Sequence, residues 1–147
     1  MNTGTSNNFY FPAVIAGGLS LIGSVFAWSQ LIVVDPISNI PFPVEHAMNG
    51  WNGYLTIYGI RLPNWLVVVS LVLTSVGVWL NKSGLYRTER LYMLMLVAYS
   101  MIHLVAWIGI GVMAGNATLE PGVFVELTAA IWLLVIVMEC GGPDVAE

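Results

Sequence analysis

Charge is what this chain most lacks. Its 147 residues include 4 Lys or Arg and 8 Asp or Glu, so 8% are charged against 58% from the apolar set. Soluble domains carry about 25% charged residues, and a water-soluble globule with a third of that could not cover its surface. The mean hydropathy of +0.83 also excludes disorder, which needs low hydrophobicity and high charge. Basic residues are the scarcer sign, and a net charge of -4 is wrong for gripping a phosphate backbone, so nucleic acid is excluded as a partner. The single cysteine, Cys140, permits no internal disulfide and makes no metal site alone. The remaining class is an integral membrane protein.

Apolar runs are what the sequence has in quantity. Four approach the roughly 20 residues a helix needs to cross the hydrocarbon core: about 11–34, 63–80, 91–113 and 122–140. The expected fold is therefore an all-α, four-transmembrane-helix bundle forming a single domain. No Lys or Arg precedes Arg61, and the first run is longer than a signal-peptide core of about 7–15 residues, so it is not expected to be a cleavable leader. Lys82, Arg87 and Arg90 cluster between the second and third runs. Retention of positive charge on the cytoplasmic side places that turn, and both termini, in the cytoplasm of a cell bounded by a plasma or inner membrane.

Two loops then face outward. The short one, near 115–121, is expected only to join helices. The long one, 35–62, opens on Pro36, Pro41 and Pro43, which favour extended chain. It continues through Asn49-Gly50-Trp51-Asn52-Gly53, with two Asn-Gly turn signals, and then Tyr54-Leu55-Thr56-Ile57-Tyr58 alternates like a strand. A small β-hairpin or one strand packed on the helix ends is predicted here. An isolated hairpin is marginal in water, so it must lean on the bundle, a second copy or a partner, with Trp51, Tyr54 and Tyr58 as the contact residues.

Few residues could carry chemistry. Ala16, Ser20 and Ser24, with Gly23 and Ala27 beside them, put small side chains at helical spacing in the first run. Small residues let helices approach closely in lipid, either between copies or within one chain's own bundle, and the second use is favoured. His103 is the one titratable residue deep in a span, about 15 Å from the outer end of the third run and near the midplane. It could ligate haem, touch a quinone or relay a proton. A paired haem site needs a second histidine at similar depth, and the only other one, His46, lies in the outer loop. The plainer account is a neutral imidazole bonded to Ser100, Tyr99 or a backbone carbonyl.

Glu126 is expected roughly 6 Å below the outer end of the fourth run, level with Gln30 at the end of the first and close to Arg61. Pairing with these two would satisfy a carboxylate otherwise costly in lipid, so a Gln30–Arg61–Glu126 cluster is predicted. The alternative is a helix-start glutamate complementing the dipole. No phosphate loop, catalytic triad or metal cluster can be assembled, and no cofactor is implied. Asn116-Ala117-Thr118 matches the glycosylation pattern but lies close to the membrane, and Cys140 could be acylated.

The outline resembles that of tetraspan families such as the claudin group, which also pair a long first outer loop with a short second one. The likeness is one of topology: that family's cysteine pair in the first outer loop has no counterpart in 35–62, and it assigns the chain to no family. These features point to a non-catalytic structural or accessory membrane protein that contacts lipid and associates laterally, as a homo-oligomer or as a subunit of a larger complex. The alternatives are a small-solute transporter subunit or holin-like pore, and a haem- or quinone-binding redox subunit using His103. A pore should line its path with polar groups, and Ser70, Thr74, Ser75, Tyr99, Ser100 and His103 are a thin supply.

Overall fold

The first apolar run divides into two elements. In the computed structural model, which describes residues 10–34, 41–43, 47–81, 85–114 and 117–140, helix α1 covers Tyr10–Val25 and strand β1 follows at Ala27–Val34. The expected helix through residue 34 is therefore corrected. An apolar run carries no period that separates helix from buried strand, and Leu31-Ile32-Val33-Val34 is rich in the β-branched residues that suit a pleated surface. Strand partners are within reach as well.

Those partners come from both loops. β2 (Pro41–Pro43) and β3 (Met48–Asn49) return antiparallel along β1, in registers Val33↔Phe42 and Ser29↔Met48, with a bulge between Ala27 and Ser29. A third strand pairs with β1 as well, Leu119 facing Ser29. This is the segment Ala117–Leu119, so the connection read as a mere joint supplies part of the sheet. The predicted hairpin is present as β4 (Tyr54–Ile57) and β5 (Ile60–Pro63), joined by Tyr58-Gly59. With the segment 117–119 numbered β6, the fold is mostly helical with two small sheets.

Three more helices complete it: α2 (Trp65–Leu80), α3 (Arg87–Ala114) and α4 (Pro121–Glu139). α2 stops at Asn81, whose backbone N–H and side-chain amide both donate to the Gly77 carbonyl. α4 starts on Pro121, a residue pre-set for the first helical position where its missing N–H costs nothing. The helices 87–113 and 121–139 are long and apolar enough to cross a membrane, while α1 and α2 are apolar and shorter, at 16 residues each.

Side by side, α1 packs on α2 and α4, and α3 closes the ring by packing on the same two. Neighbours run antiparallel. Ser75 Oγ, late in α2, donates to the Ala13 carbonyl, early in α1, and Leu85 N before α3 donates to the Cys140 carbonyl after α4. One end of the ring therefore carries the sheets, and the other the end of α2, the start of α3 and the end of α4. The core between them is built from Ala13, Ala16, Val67, Leu71, Val97, Leu104, Ala130 and Leu133.

At about 42 Å, α3 outreaches α1 and α2, each about 24 Å. Its last turns rise beside the sheet, where Trp107 meets the buried Trp28 of β1 edge to face, with ring centroids 5.8 Å apart. The small residues Ala16, Ser20, Gly23 and Ser24 are buried inside the chain, so this ridge serves contacts within the chain. Ala27 has left the helix as the first residue of β1.

Candidate functional site

Two groups of buried polar side chains sit where the helices meet the sheets. The first is built on the Asn-Gly-Trp-Asn-Gly segment. Asn49 Oδ1 accepts from the backbone N–H of Trp51 (2.8 Å) and Asn52 (3.1 Å), and Asn52 Oδ1 accepts from Asn49 N (2.8 Å), so the turn is locked by its own asparagines. It is pressed onto the end of α1. Gly50 N donates to the Ser24 carbonyl at 3.0 Å, and a β-carbon on Gly50 would lie 2.7 Å from Ser24 Cβ and 2.8 Å from its Cα. Only glycine permits that approach. Trp51 Nε1 donates to Ser24 Oγ at 2.9 Å, which pins one edge of an otherwise half-exposed ring.

Asn64, the fully buried residue ahead of α2, ties this turn to α3. Its backbone N–H donates to the Gly53 carbonyl (2.9 Å), its Nδ2 donates to the Asn49 carbonyl (3.0 Å), and its Oδ1 lies 3.1 Å from His103 Nε2. Because Nδ2 faces a carbonyl, Oδ1 is left as an acceptor. His103 must then carry its proton on Nε2 and donate to Asn64. Its Nδ1 is the acceptor for the Tyr99 hydroxyl, 3.4 Å away.

Both ring nitrogens are thus engaged by protein, in the plainer arrangement anticipated for this residue, with Tyr99 as the anticipated partner. Ser100, the other candidate partner, instead donates to the Leu96 carbonyl. His103 is level with the start of α2, at the base of the sheet layer, because α3 continues eleven residues beyond it.

The second group is Glu126 with Ser20. Glu126 in α4 is 0% exposed, and Ser20 Oγ of α1 donates to its Oε2 at 2.7 Å. Gly23 of α1 lies against its Cγ and backbone N. Oε1 has no hydrogen-bond partner among the described residues.

The predicted cluster of Glu126 with Gln30 and Arg61 does not form as a hydrogen-bonded set. Gln30 lies in β1, paired with Thr118, because α1 ended five residues earlier. Arg61 lies in β5, its guanidinium 4.9 Å above the Tyr54 ring. Of the expected contact residues of the outer loop, Tyr54 lies beneath Arg61, and Tyr58 projects fully exposed from the hairpin tip. His46 lies outside the described residues.

Asn64 does not stand out in the sequence. No motif marks it. The one signal is its position directly after Pro63 and ahead of a run otherwise free of amides. Comparison of the chain with protein-family models, with curated proteins and with solved structures finds no match.

Two apolar grooves flank α1. One of about 470 Å³ runs beneath β6 along α4, lined by Leu19, Leu119, Pro121, Phe124, Val125 and Thr128. The other, about 260 Å³, lies between α1 and α2, with Gly17 and Gly18 beside Val14, Leu21, Val72 and Trp79.

Proposed function

We propose that this chain is a four-span membrane protein with a structural or accessory role, assembling laterally with copies of itself or within a larger membrane complex. Large apolar side chains stand exposed on all four helices, among them Leu21, Ile22, Leu73, Val76, Ile102, Val105, Ile131 and Val135. Contact with acyl chains removes the cost that water would impose on them. α1 and α2 fall short of the roughly 30 Å hydrocarbon thickness, and snorkelling and interfacial side chains at their ends accommodate that mismatch. With Arg87 and Arg90 at the end opposite the sheets, the positive-inside rule turns the sheets outward and the 81–90 turn to the cytoplasm.

The observation that carries lateral assembly is the hollow at Gly18. A β-carbon there would meet nothing within 4 Å among the described residues, so the glycine serves no packing contact among them, yet it lies open on the face of α1 between exposed Val14 and Leu21. Such a hollow lets a second helix backbone approach closely. A conduit is disfavoured because the buried polar side chains are paired off internally: Ser75 to Ala13, Thr74 to Ser70, Ser100 to Leu96 and Ser20 to Glu126. A redox role through His103 is disfavoured because neither ring nitrogen is free to bind a metal.

Native mass measurement in mild detergent tests the proposal. The wild type is expected as an assembly, and Gly18→Leu as a single chain with unchanged helix content. A wild type that runs as one chain with nothing bound overturns it.

A further inference from the structure

We infer that the tip of the β4–β5 hairpin, Tyr58-Gly59-Ile60 with Arg61 behind it, seats in the phospholipid headgroup layer beside the helices, with the Arg61 guanidinium on a lipid phosphate. The inference rests on the four-span reading above.

It begins with the backbone of the turn. Tyr58 has φ 49° and Gly59 φ 83°, the left-handed pair of a two-residue hairpin turn that Asn-Gly adopts readily and a β-carbon-bearing aromatic resists. Backbone strain of this kind persists where something offsets it. Nothing among the described residues does so, since the Tyr58 side chain is 102% exposed. The contact that makes a tyrosine useful here must lie outside the chain.

The chemistry of that contact follows from the hairpin's other residues. Leu55 and Leu62 form a cross-strand pair turned into the core, which leaves Tyr54, Thr56 and Arg61 on the outer side and Ile60 64% exposed at the tip. Residues 47–64 contain no Asp or Glu, although the chain is acidic overall, and Arg61 is the one basic residue outside 82–90. A patch of phenol, aliphatic and guanidinium groups without acids complements an anionic headgroup layer.

Position agrees. β5 passes through Pro63 and Asn64 straight into α2, whose first residue, Trp65, is 43% exposed, so the hairpin base stands at the membrane boundary. Four-residue strands reach about 13 Å, and a hairpin inclined along the surface keeps its tip among the headgroups. A protein partner fits less well, because three side chains fall far short of the roughly 20–30 residues a side of a stable interface.

Nitroxide labels on full-length protein test this in a Cys140→Ser background, Cys140 being the sole cysteine. One label is placed at Ile60→Cys and another at Leu73→Cys, midway along α2. Reconstitution in phosphatidylcholine–phosphatidylglycerol vesicles should give a Leu73 label open to oxygen and closed to a water-soluble nickel chelate. The Ile60 label should show several-fold less nickel access than in detergent-free phosphatidylcholine vesicles carrying Arg61→Gln.

Tyr58→Asn, which suits the left-handed turn and so keeps the hairpin, should raise nickel access at position 60 again. A nickel-accessible Leu73 label would sink the four-span reading itself. A protected Leu73 label beside an Ile60 label fully open to nickel in every vesicle overturns the hairpin inference alone. Spin–spin broadening at position 60 that vanishes on dilution with unlabelled protein overturns it too, assigning the tip to a second copy.

Discussion

Gly17 and Gly18 are neighbours in sequence, yet alanine should have opposite effects at the two. At Gly17 an added β-carbon would lie 2.3 Å from Ser75 Oγ and 2.7 Å from Ser75 Cβ, and that hydroxyl is held by its bond to the Ala13 carbonyl. Overpacking of this kind costs about 1–3 kcal/mol, and displacing the hydroxyl from its acceptor costs about 1 kcal/mol more. The better helix propensity of alanine returns about 1 kcal/mol. Gly17→Ala is therefore expected to lose about 1–3 kcal/mol in balance.

At Gly18 the described residues of the chain itself offer no neighbour to meet, so in the dissociated single chain alanine should gain up to about 1 kcal/mol from propensity alone. The two variants should melt roughly 5–15 °C apart for a chain of this size, with Gly17→Ala the lower, in thermal scans of detergent-purified protein followed by circular dichroism. Gly17→Ala combined with Ser75→Gly should recover part of the loss, because the small residue has only changed sides. Equal melting temperatures for the two single variants would show that α1 and α2 do not pack through Gly17 and Ser75, and the pairing of these helices would have to be redrawn.

The remaining buried contacts make their own predictions. Ser20→Ala strips Glu126 of its partner and should cost about 1–3 kcal/mol, whereas Ser20→Ala combined with Glu126→Leu should be neutral or stabilising, since replacing both members of a buried polar pair often is; denaturant titration of the two singles and the double decides. Asn64→Ala leaves His103 Nε2 unpaired and takes from the Asn49 carbonyl one of its two donors, the Gly53 N–H remaining, an expected loss of about 1–3 kcal/mol, seen as faster hydrogen exchange over 48–53. Arg90 donates to the Val137 and Met138 carbonyls at the end of α4, so Arg90→Met should lower stability by about 1–2 kcal/mol, with Arg90→Lys intermediate in the same titration. Gly122→Ala should be the harshest glycine substitution, because its β-carbon would lie 2.6–2.9 Å from the backbone carbonyls of Ala27, Phe26 and Gly23, which cannot swing aside; loss of the near-ultraviolet signal of the Trp28–Trp107 pair would report it.

How much of this was legible depended on which contacts were local. The runs that became α2, α3 and α4 announced themselves by composition, and the strand Tyr54–Ile57 by its alternation. β1 did not, because Ala27–Val34 continues the apolar character of α1 without a polar residue or proline to punctuate it beyond Ser29 and Gln30. β6 is three residues long, and pairing across 88 positions, as Gln30 with Thr118, leaves no trace in either segment alone.

The Glu126 error followed from the β1 error. Its depth was estimated from its own helix and came out close to its level beside Ser20. Its partners were chosen by charge among residues whose helix was assumed to continue. Once α1 ends at Val25, Gln30 is carried off into the sheet, and the small side chain at Ser20, already recognised as a packing residue, becomes the carboxyl's donor.

The same shortness of α1 and α2 sets the surroundings of His103, which is level with the start of α2. Two helices of 16 residues stand beside one of 28, so the longer one must project, and its projecting turns need cover. Trp107 supplies an apolar face, Trp28 fills it from β1, and Trp28 Nε1 donates back to the Gly23 carbonyl near the end of α1. The Trp28 carbonyl in turn accepts from Glu120 N at the entry to α4. One residue thus ties α1, α3 and α4 to the sheet, and Asn64 does the same for α2 through His103. A polar histidine at that level is where hydrogen bonding between the end of one helix and the flank of another is needed, and its burial follows from the difference in helix length without any catalytic demand.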